Sequence, residues 1–185
     1  MRRDRPDGED VGRSHGRGFG THFIAGHRRL DVRLRRATTA DADALIDLHE
    51  RALRDAGTDP ADVPGNDDLR DVEATFLGVG GEFLVLEGDA GDLVAMGGYR
   101  PVDDRTVELF RIAVAPERQR EGFGDRLVDV LERRARVHEY ERVVLETVVE
   151  QAAAAAFYPA RGYEEVGRGP TESGNYTLLQ FEKSL

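Results

Sequence analysis

Residues 107–124 read Val-Glu-Leu-Phe-Arg-Ile-Ala-Val-Ala-Pro-Glu-Arg-Gln-Arg-Glu-Gly-Phe-Gly, and residues 125–135 continue Asp-Arg-Leu-Val-Asp-Val-Leu-Glu-Arg-Arg-Ala. Three signals stand back to back in this stretch. Val107 to Val114 is apolar and β-branched enough for a buried strand, with Glu108 and Arg111 as the exceptions. Pro116 ends that strand, and Gln119 to Gly124 supplies a flexible exit. From Phe123 the apolar positions Phe123, Leu127, Val130, Leu131 and Ala135 fall at helical spacing, which sets Asp129, Glu132, Arg133 and Arg136 facing away. A strand that feeds a glycine-bearing turn and then opens a helix leaves several backbone N–H groups unpaired and pointing one way. That is a ready site for phosphate.

Two commoner phosphate motifs do not fit. The P-loop requires a lysine after its second glycine, and the chain's single lysine is Lys183, near its end. The dinucleotide fingerprint needs Gly-x-Gly-x-x-Gly between strand and helix, whereas the run Gly16 to Gly20 lacks that spacing and has no strand before it. What remains is Gln119-x-x-Gly122-x-Gly124. It resembles the Gln/Arg-x-x-Gly-x-Gly/Ala signature of the GNAT superfamily of acyl-CoA-dependent N-acetyltransferases. Gln151 to Tyr163 resembles that family's second signature, Asn-x-x-Ala-x-x-Phe/Leu-Tyr-x-x-x-Gly-Phe/Tyr, with Ala154, Phe157, Tyr158, Gly162 and Tyr163 in register. Glu108-x-x-Arg111, and Leu145-Glu146-Thr147 with Gln151, are similar to one subgroup of the family.

The resemblance implies acetyl-CoA as co-substrate. Its pyrophosphate would lie on the loop Gln119, Arg120, Glu121, Gly122, Phe123, Gly124 and Asp125, with the Ile112, Ala113 and Val114 strand, Gln151 and Tyr158 alongside. No metal is expected. The sequence departs from the family pattern in three places. Gln151 replaces the usual Asn and reaches farther; Pro159 disfavours helical geometry at Tyr158 and is expected to re-aim it. In the loop, Arg120 stands where glycine is common and Glu121 where a basic residue is common. A carboxylate there opposes a pyrophosphate, and Arg118 and Arg120 are placed to offset it.

Acetyl transfer needs a neutral amine to attack the thioester carbonyl, donors for the oxygen as it gains charge, and a proton for the leaving thiolate. The family resemblance assigns the oxygen to backbone N–H groups of the Ile112 to Val114 strand. Tyr158 is the candidate acid, since a phenol with an ordinary pKa of about 10 holds its proton at neutral pH. Glu108 and Glu146 are the candidate bases, being carboxylates inside otherwise apolar strands, where burial would raise their pKa. Each also has a structural reading as half of an ion pair with an arginine. Alternation sets Glu108 on one face with Phe110 and Ile112 unless a bulge intervenes. Arg111 is expected to pair with a carboxylate rather than touch substrate. His49 is expected to be a core or groove-edge histidine, since no partner stands at metal spacing. Without cysteine, disulfides, thiolate metal sites and a cysteine nucleophile are excluded, and no serine–base motif is present, which favours direct attack.

The remaining elements read in order. Val32 to Ala37 is a strand. Thr38-x-x-Asp41 caps a helix whose face is Leu45, Leu48, His49, Ala52 and Leu53. Ala56 to Asp67 is a loop, and a short helix with Leu69, Val72 and Phe76 on one side follows it. Phe83 to Leu86 and Leu93 to Tyr99 form a hairpin, Arg142 to Val148 is a strand and Gln151 to Arg161 a helix, and Tyr163 to Val166 and Tyr176 to Glu182 close the sheet. The order β-α-α-β-β-β-α-β-α-β-β predicts an α/β fold (mixed α+β) with a central mixed sheet of about seven strands and helices on both faces. It resembles the GNAT fold over residues 31–185.

Residues 1–30 carry seven Arg against four Asp or Glu, a net of +3, which leaves −13 of the total −10 on the rest. They read as a disordered tail, with nucleic-acid contact through Arg13, Arg17 and Gly16 to Gly20 as the alternative. The acidic body argues against a broad nucleic-acid footprint. One lysine among abundant Asp, Glu and Arg resembles the composition of salt-adapted proteins. No apolar run reaches a membrane span and no signal-peptide core is present, so a soluble, cytoplasmic protein is expected. The acceptor is expected to be a small-molecule or peptide amine. A homodimer is compatible with the sequence but draws no support from it. The rival from another class is a non-catalytic acyl-CoA-binding regulatory module of the same fold.

Overall fold

The computed structural model describes residues 32–63 and 65–185. The N-terminal tail of 1–30, with its nucleic-acid alternative, lies outside the described residues. The element order is β1 (Arg33–Arg36), α1 (Ala42–Asp55), α2 (Asp67–Arg70), α3 (Val72–Thr75), β2 (Glu82–Glu87), β3 (Leu93–Pro101), β4 (Thr106–Val114), α4 (Phe123–Val137), β5 (Arg142–Val148), α5 (Ala152–Ala160), β6 (Glu164–Pro170) and β7 (Thr177–Ser184). The strands form one seven-stranded sheet in the order β1-β2-β3-β4-β5-β7-β6. β4 and β5 run parallel and every other pair is antiparallel, so the sheet is mixed, as the sequence predicts.

Helices cover both faces. α4 and α5 close one core, with Leu127, Leu131, Tyr158 and Phe181 among its buried side chains. α1, α2 and α3 close the other, around Leu45, Leu48, Phe76 and Phe83. Full burial of each such side chain stabilises the fold by roughly 1.5–3 kcal/mol. Among the described residues, no helix is long and apolar enough to cross a membrane.

Four expectations are corrected. The expected second helix is two short ones, because Asp71 leaves helical geometry (φ −140°, ψ 71°) and its carboxylate caps α3 through the Ala74 amide. On α4, Val128 and Glu132 are buried and Val130 only partly so. Glu132 turns inward because Lys183 Nζ (2.8 and 2.9 Å) and the Tyr163 hydroxyl (2.9 Å) meet its carboxylate. β6 continues through Gly167 and Gly169 to Pro170, helped by a register shift between Glu165 and Gly167, so the turn into β7 begins only at Thr171. Tyr158 stays helical despite Pro159, since the proline sits in the last turn of α5 and removes only one N–H there.

The feature that shapes the site is a bulge in β4. The β3–β4 register shifts between Met96 and Gly98, and Arg111 takes a left-handed conformation at φ 57°. The extra residue transfers Ile112 to the face of Leu109 and Val107, so it does not share a face with Glu108 and Phe110 as alternation alone predicts. Gly97 makes room for it. A Cβ on Gly97 would stand 2.4 Å from Ile112 Cδ1 and 3.2 Å from its Cα. Gly97→Ala is therefore expected to destabilise the protein by about 1–3 kcal/mol in urea denaturation, and adding Ile112→Val, which removes Cδ1, to recover part of the loss.

Candidate active site

β4 and β5 are in register only from Thr106↔Arg142 to Leu109↔Leu145. Beyond that point β4 stays with β3 as far as Ala95↔Val114, and β5 stays with β7 as far as Val148↔Leu178. The two parallel strands therefore part just before the bulge and leave a split that runs through the sheet. The Ala115 amide donates to Val94 O at 2.8 Å, so Ala115, and Ala113 two residues before it, turn their backbone groups toward β3. By the same alternation Ile112 and Val114 turn theirs into the split. Ala113 instead packs its side chain into the core on the α1 side.

At the mouth of the split lies the loop that leads into α4. Arg120 (φ 61°) and Gly122 (φ 83°) are both left-handed, which explains why glycine is favoured at position 120. Arg126 makes the first helical bond, to Gly122 O at 3.0 Å, and the amides from Arg120 to Asp125 have no acceptor among the described residues. Consecutive unpaired amides at the start of a long helix form an anion-binding nest. Glu121 does not stand there as a bare negative charge: the Arg118 Nε donates to both its oxygens at 3.2 and 3.3 Å, and the Arg118 guanidinium lies 5.0 Å from the Phe123 ring centroid. Gln119 is turned outward from the nest and donates to Asp55 at 2.9 Å, which fastens the loop to α1. Asp125, in the first turn of α4, pairs with Arg161 at 2.6 Å.

Tyr158 reaches the α4–α5 side of the split from α5. Its ring packs edge-on against Phe157 (5.2 Å) and Tyr163 (5.4 Å), and its hydroxyl has no hydrogen-bond partner among the described residues. Burial holds its pKa well above the ordinary phenol value, so the proton stays on. Gln151, at the start of α5, accepts from Thr147 (3.3 Å) and donates to Thr58 (3.1 Å), a threonine only 1% exposed in the loop after α1.

Glu108 and Glu146 stand on the opposite, α1-side face. Glu108 is in register with Val144, so Glu146 is its neighbour one step along the same face. The half-buried Glu108 has its pKa raised by desolvation and then by the Glu146 charge, against a lowering by Arg100. Among the described residues it forms no ion pair. Glu146 is exposed and accepts from Gln180 at 2.9 Å. Arg100, opposite Glu108 on β3, spends its charge on aromatic rings, at 3.8 Å from the Phe110 centroid. Thr58, Arg100 and Gln180 were not singled out in the sequence. Only the β3–β4 pairing, set by the short turn after Pro101, reveals that Arg100 faces Glu108.

Arg111 pairs with a carboxylate, as expected. Its Nε and Nη2 each donate to Asp68 at 2.9 Å, Nη2 also donates to Gly65 O at 2.8 Å, and Nη1 donates to His49 Nε2. The acceptor role of Nε2 places the imidazole proton on Nδ1. Burial, and then the Arg111 charge, push the His49 pKa down to about 4. A histidine that stays neutral in the folded state while the unfolded chain protonates makes stability decrease as the pH is lowered through the unfolded-state pKa. Stability is expected to drop by on the order of 2–3 kcal/mol from pH 6.5 to pH 4, and His49→Gln to remove that part of the slope in denaturant titrations at stepped pH.

The family model described as the acetyltransferase (GNAT) family matches residues 38–163. The chain is 32% identical to a probable N-acetyltransferase family 8 member 5 of Mus musculus and 30% identical to N-acetyltransferase 8 of Homo sapiens, each over 55% of this chain. It spans about half the length of these curated relatives, 46% and 47%. Its fold is similar to that of a GNAT-family acetyltransferase from Staphylococcus aureus Mu50, with a TM-score of 0.73, 19% identity, and 83% of this chain and 99% of that one covered. The yncA protein of Salmonella typhimurium, a putative acetyltransferase solved with its cofactor acetyl-CoA, aligns with a TM-score of 0.69 and 20% identity over 84% of this chain and 94% of its own.

Proposed function

The chain belongs to the acetyltransferase (GNAT) family, and from that premise we propose that it moves an acetyl group from acetyl-CoA to a primary amine by direct attack in a ternary complex. One observation carries the reading: a row of free amides, Arg120 to Asp125, stands at the mouth of a split with Tyr158 on one side and Glu108 on the other. The amides suit a diphosphate. The free backbone groups of Ile112 and Val114 suit the pantetheine arm and the carbonyl oxygen as it gains negative charge.

The amine reaches the split from the Glu108 face. Glu108 takes its proton, directly or through water, because a raised pKa brings a carboxylate nearer to neutral operating pH. Glu146 acts on Glu108 through its charge. The neutral amine nitrogen then bonds to the acetyl carbon and gives up its surplus proton to solvent, the carbon–sulfur bond breaks, and the departing thiolate takes the Tyr158 proton, which solvent restores. No covalent enzyme intermediate is needed. In a survey of primary amines, free-thiol release from acetyl-CoA should identify an acceptor. Tyr158→Phe keeps the ring packing and is expected to lower the rate about 10²–10⁴-fold with that acceptor. If no amine releases thiol while acetyl-CoA binds, the chain is the non-catalytic acyl-CoA-binding module instead. If Tyr158→Phe matches wild type, Tyr158 is not the acid.

Gly124 offers a sharper test of the cofactor site. It does not have a positive φ, and a Cβ there would meet Val114 Cγ2 at 3.6 Å and the Phe157 ring at 3.7 Å, which is ordinary contact. Nothing in the free protein requires glycine, but a molecule lying along the nest does. Gly124→Ala is expected to raise stability by up to about 1 kcal/mol, as for alanine over glycine in a helix. The same change is expected to weaken acetyl-CoA binding about tenfold or more by calorimetry, equivalent to roughly 1.4 kcal/mol. Unchanged affinity would remove the diphosphate from this loop.

A further inference from the structure

Arg161 belongs to the turn that ends α5 just after Tyr158. Gly162 is left-handed at φ 83°, the Tyr163 amide donates to Tyr158 O at 3.1 Å and the Gly162 amide to Pro159 O at 3.0 Å. This is a Schellman turn, and it folds the chain back onto the carbonyl of the candidate acid itself. The Arg161 amide reaches the same oxygen at 2.9 Å, and the Tyr163 ring packs edge-on against that of Tyr158. Tyr158 is thereby fixed in the last turn of α5, at the end of the helix where the backbone dipole is negative. Burial and the dipole both oppose a charge left on its oxygen once the proton has gone.

The Arg161 side chain is only 13% exposed. Its Nη1 donates to Asp125 at 2.6 Å and its Nη2 to Asp129, both on α4. The guanidinium lies 5.3 Å from the centroid of Phe157, the ring that stands edge-on to Tyr158. Nε is buried and has no partner among the described residues. As a clip this is a poor device. The two carboxylates are 59% and 60% exposed, so each pair contributes little, while a buried donor without an acceptor is costly. As a source of field it is a good one. The two negative charges stand in water, which screens them, and the positive charge is sunk between α4 and the aromatic residues of α5. Burial raises the Tyr158 pKa, and the Arg161 charge draws it back. The other acid of this region, Glu132 of α4, is already engaged by Lys183 and the Tyr163 hydroxyl.

We infer that Arg161 is a positioning residue for proton donation by Tyr158: its fork holds the last turn of α5 against α4, and its shielded charge stabilises the phenolate that remains when the thiolate has taken the proton. This rests on the reading of Tyr158 as the acid. The step is one transfer. The O–H bond of Tyr158 breaks, the S–H bond of CoA forms, and the negative charge passes from sulfur to the phenol oxygen until solvent restores the proton. A positive charge nearby in a shielded setting makes that passage less unfavourable.

Free-thiol release from acetyl-CoA by the full chain, with the best amine of the survey above, tests it. Arg161→Met keeps an apolar stem and removes the charge, and kcat is expected to fall about tenfold or more. Arg161→Lys keeps the charge but cannot span both carboxylates, and is expected to recover most of the rate. Asp129→Asn breaks one arm of the fork and leaves the charge in place, so kcat is expected to stay within about threefold of wild type. A merely structural clip gives a different result: Arg161→Lys and Asp129→Asn lose rate alongside Arg161→Met. The Tyr158→Phe background completes the cycle. There Arg161→Met is expected to change kcat by less than about threefold, since no phenolate is left to stabilise, whereas independent effects multiply to within roughly twofold. Independent effects, a clip-like pattern, or an Arg161→Met protein as fast as wild type each overturn the inference. If no amine releases thiol, or Tyr158→Phe alone matches wild type, the acid assignment falls, and this inference with it. Thermal melts establish that the variants are folded, and Arg161→Lys with Asp129→Asn decides between charge and clip if Arg161→Met is not.

Discussion

The whole site depends on a mismatch in one ladder of hydrogen bonds. β4 must satisfy β3 on one edge and β5 on the other, and past Leu109 it satisfies β3 alone. The extra residue at Arg111 absorbs the difference by turning left-handed, which bends β4 away from β5 and sends the Ile112 and Val114 backbone groups into the space that opens. In a fully paired sheet those groups would be spent on a neighbouring strand. Here they face the split, where the proposed reading sets the acetyl-CoA arm. Gly97 on β3 is the complementary concession, because a side chain there would collide with the displaced Ile112.

Charge is handled in a way that follows from the composition. With one lysine in the chain, almost every cation is a guanidinium, and arginine's planar fork is suited to double engagement. Arg111 on Asp68, Arg161 on Asp125 and Asp129, and Arg35 on Asp41 and Glu87 all bridge separate segments in this way. The exposed pairs contribute little each. Arg111 differs because it is shielded and because its backbone is strained. The lone lysine is occupied as well, on the inward-facing Glu132.

Much of this was legible in the sequence. The strand, proline, glycine turn and amphipathic helix of residues 107–135 give the site's central unit because each signal is local: backbone sterics, periodicity and unpaired amides. The number of strands and their succession along the chain follow from the same signals, whereas their order within the sheet was not read from them. What escaped depends on contacts between distant segments. Ile112 changes face only because β3 forces a bulge, and the hint, Gly97-Gly98 within a strand, carries no register by itself. Glu132 reads as a solvent-side residue until Lys183, far along the chain, is brought beneath it. Thr58 and Gln180 are ordinary polar residues in sequence and gain their roles from partners on β5 and α5. Pro159 misleads in the opposite direction, since its effect depends on how many helical bonds remain to be broken.

The split leaves the sheet as a partition with a single aperture among its described strands. Tyr158 and the amide nest serve one room, Glu108 and Glu146 the other. In the proposed reaction the two substrates would meet in the aperture from opposite faces, and neither would stand in the other's way. For the proposed reaction, an acceptor present in excess would crowd its own side without barring acetyl-CoA from entering or spent CoA from leaving.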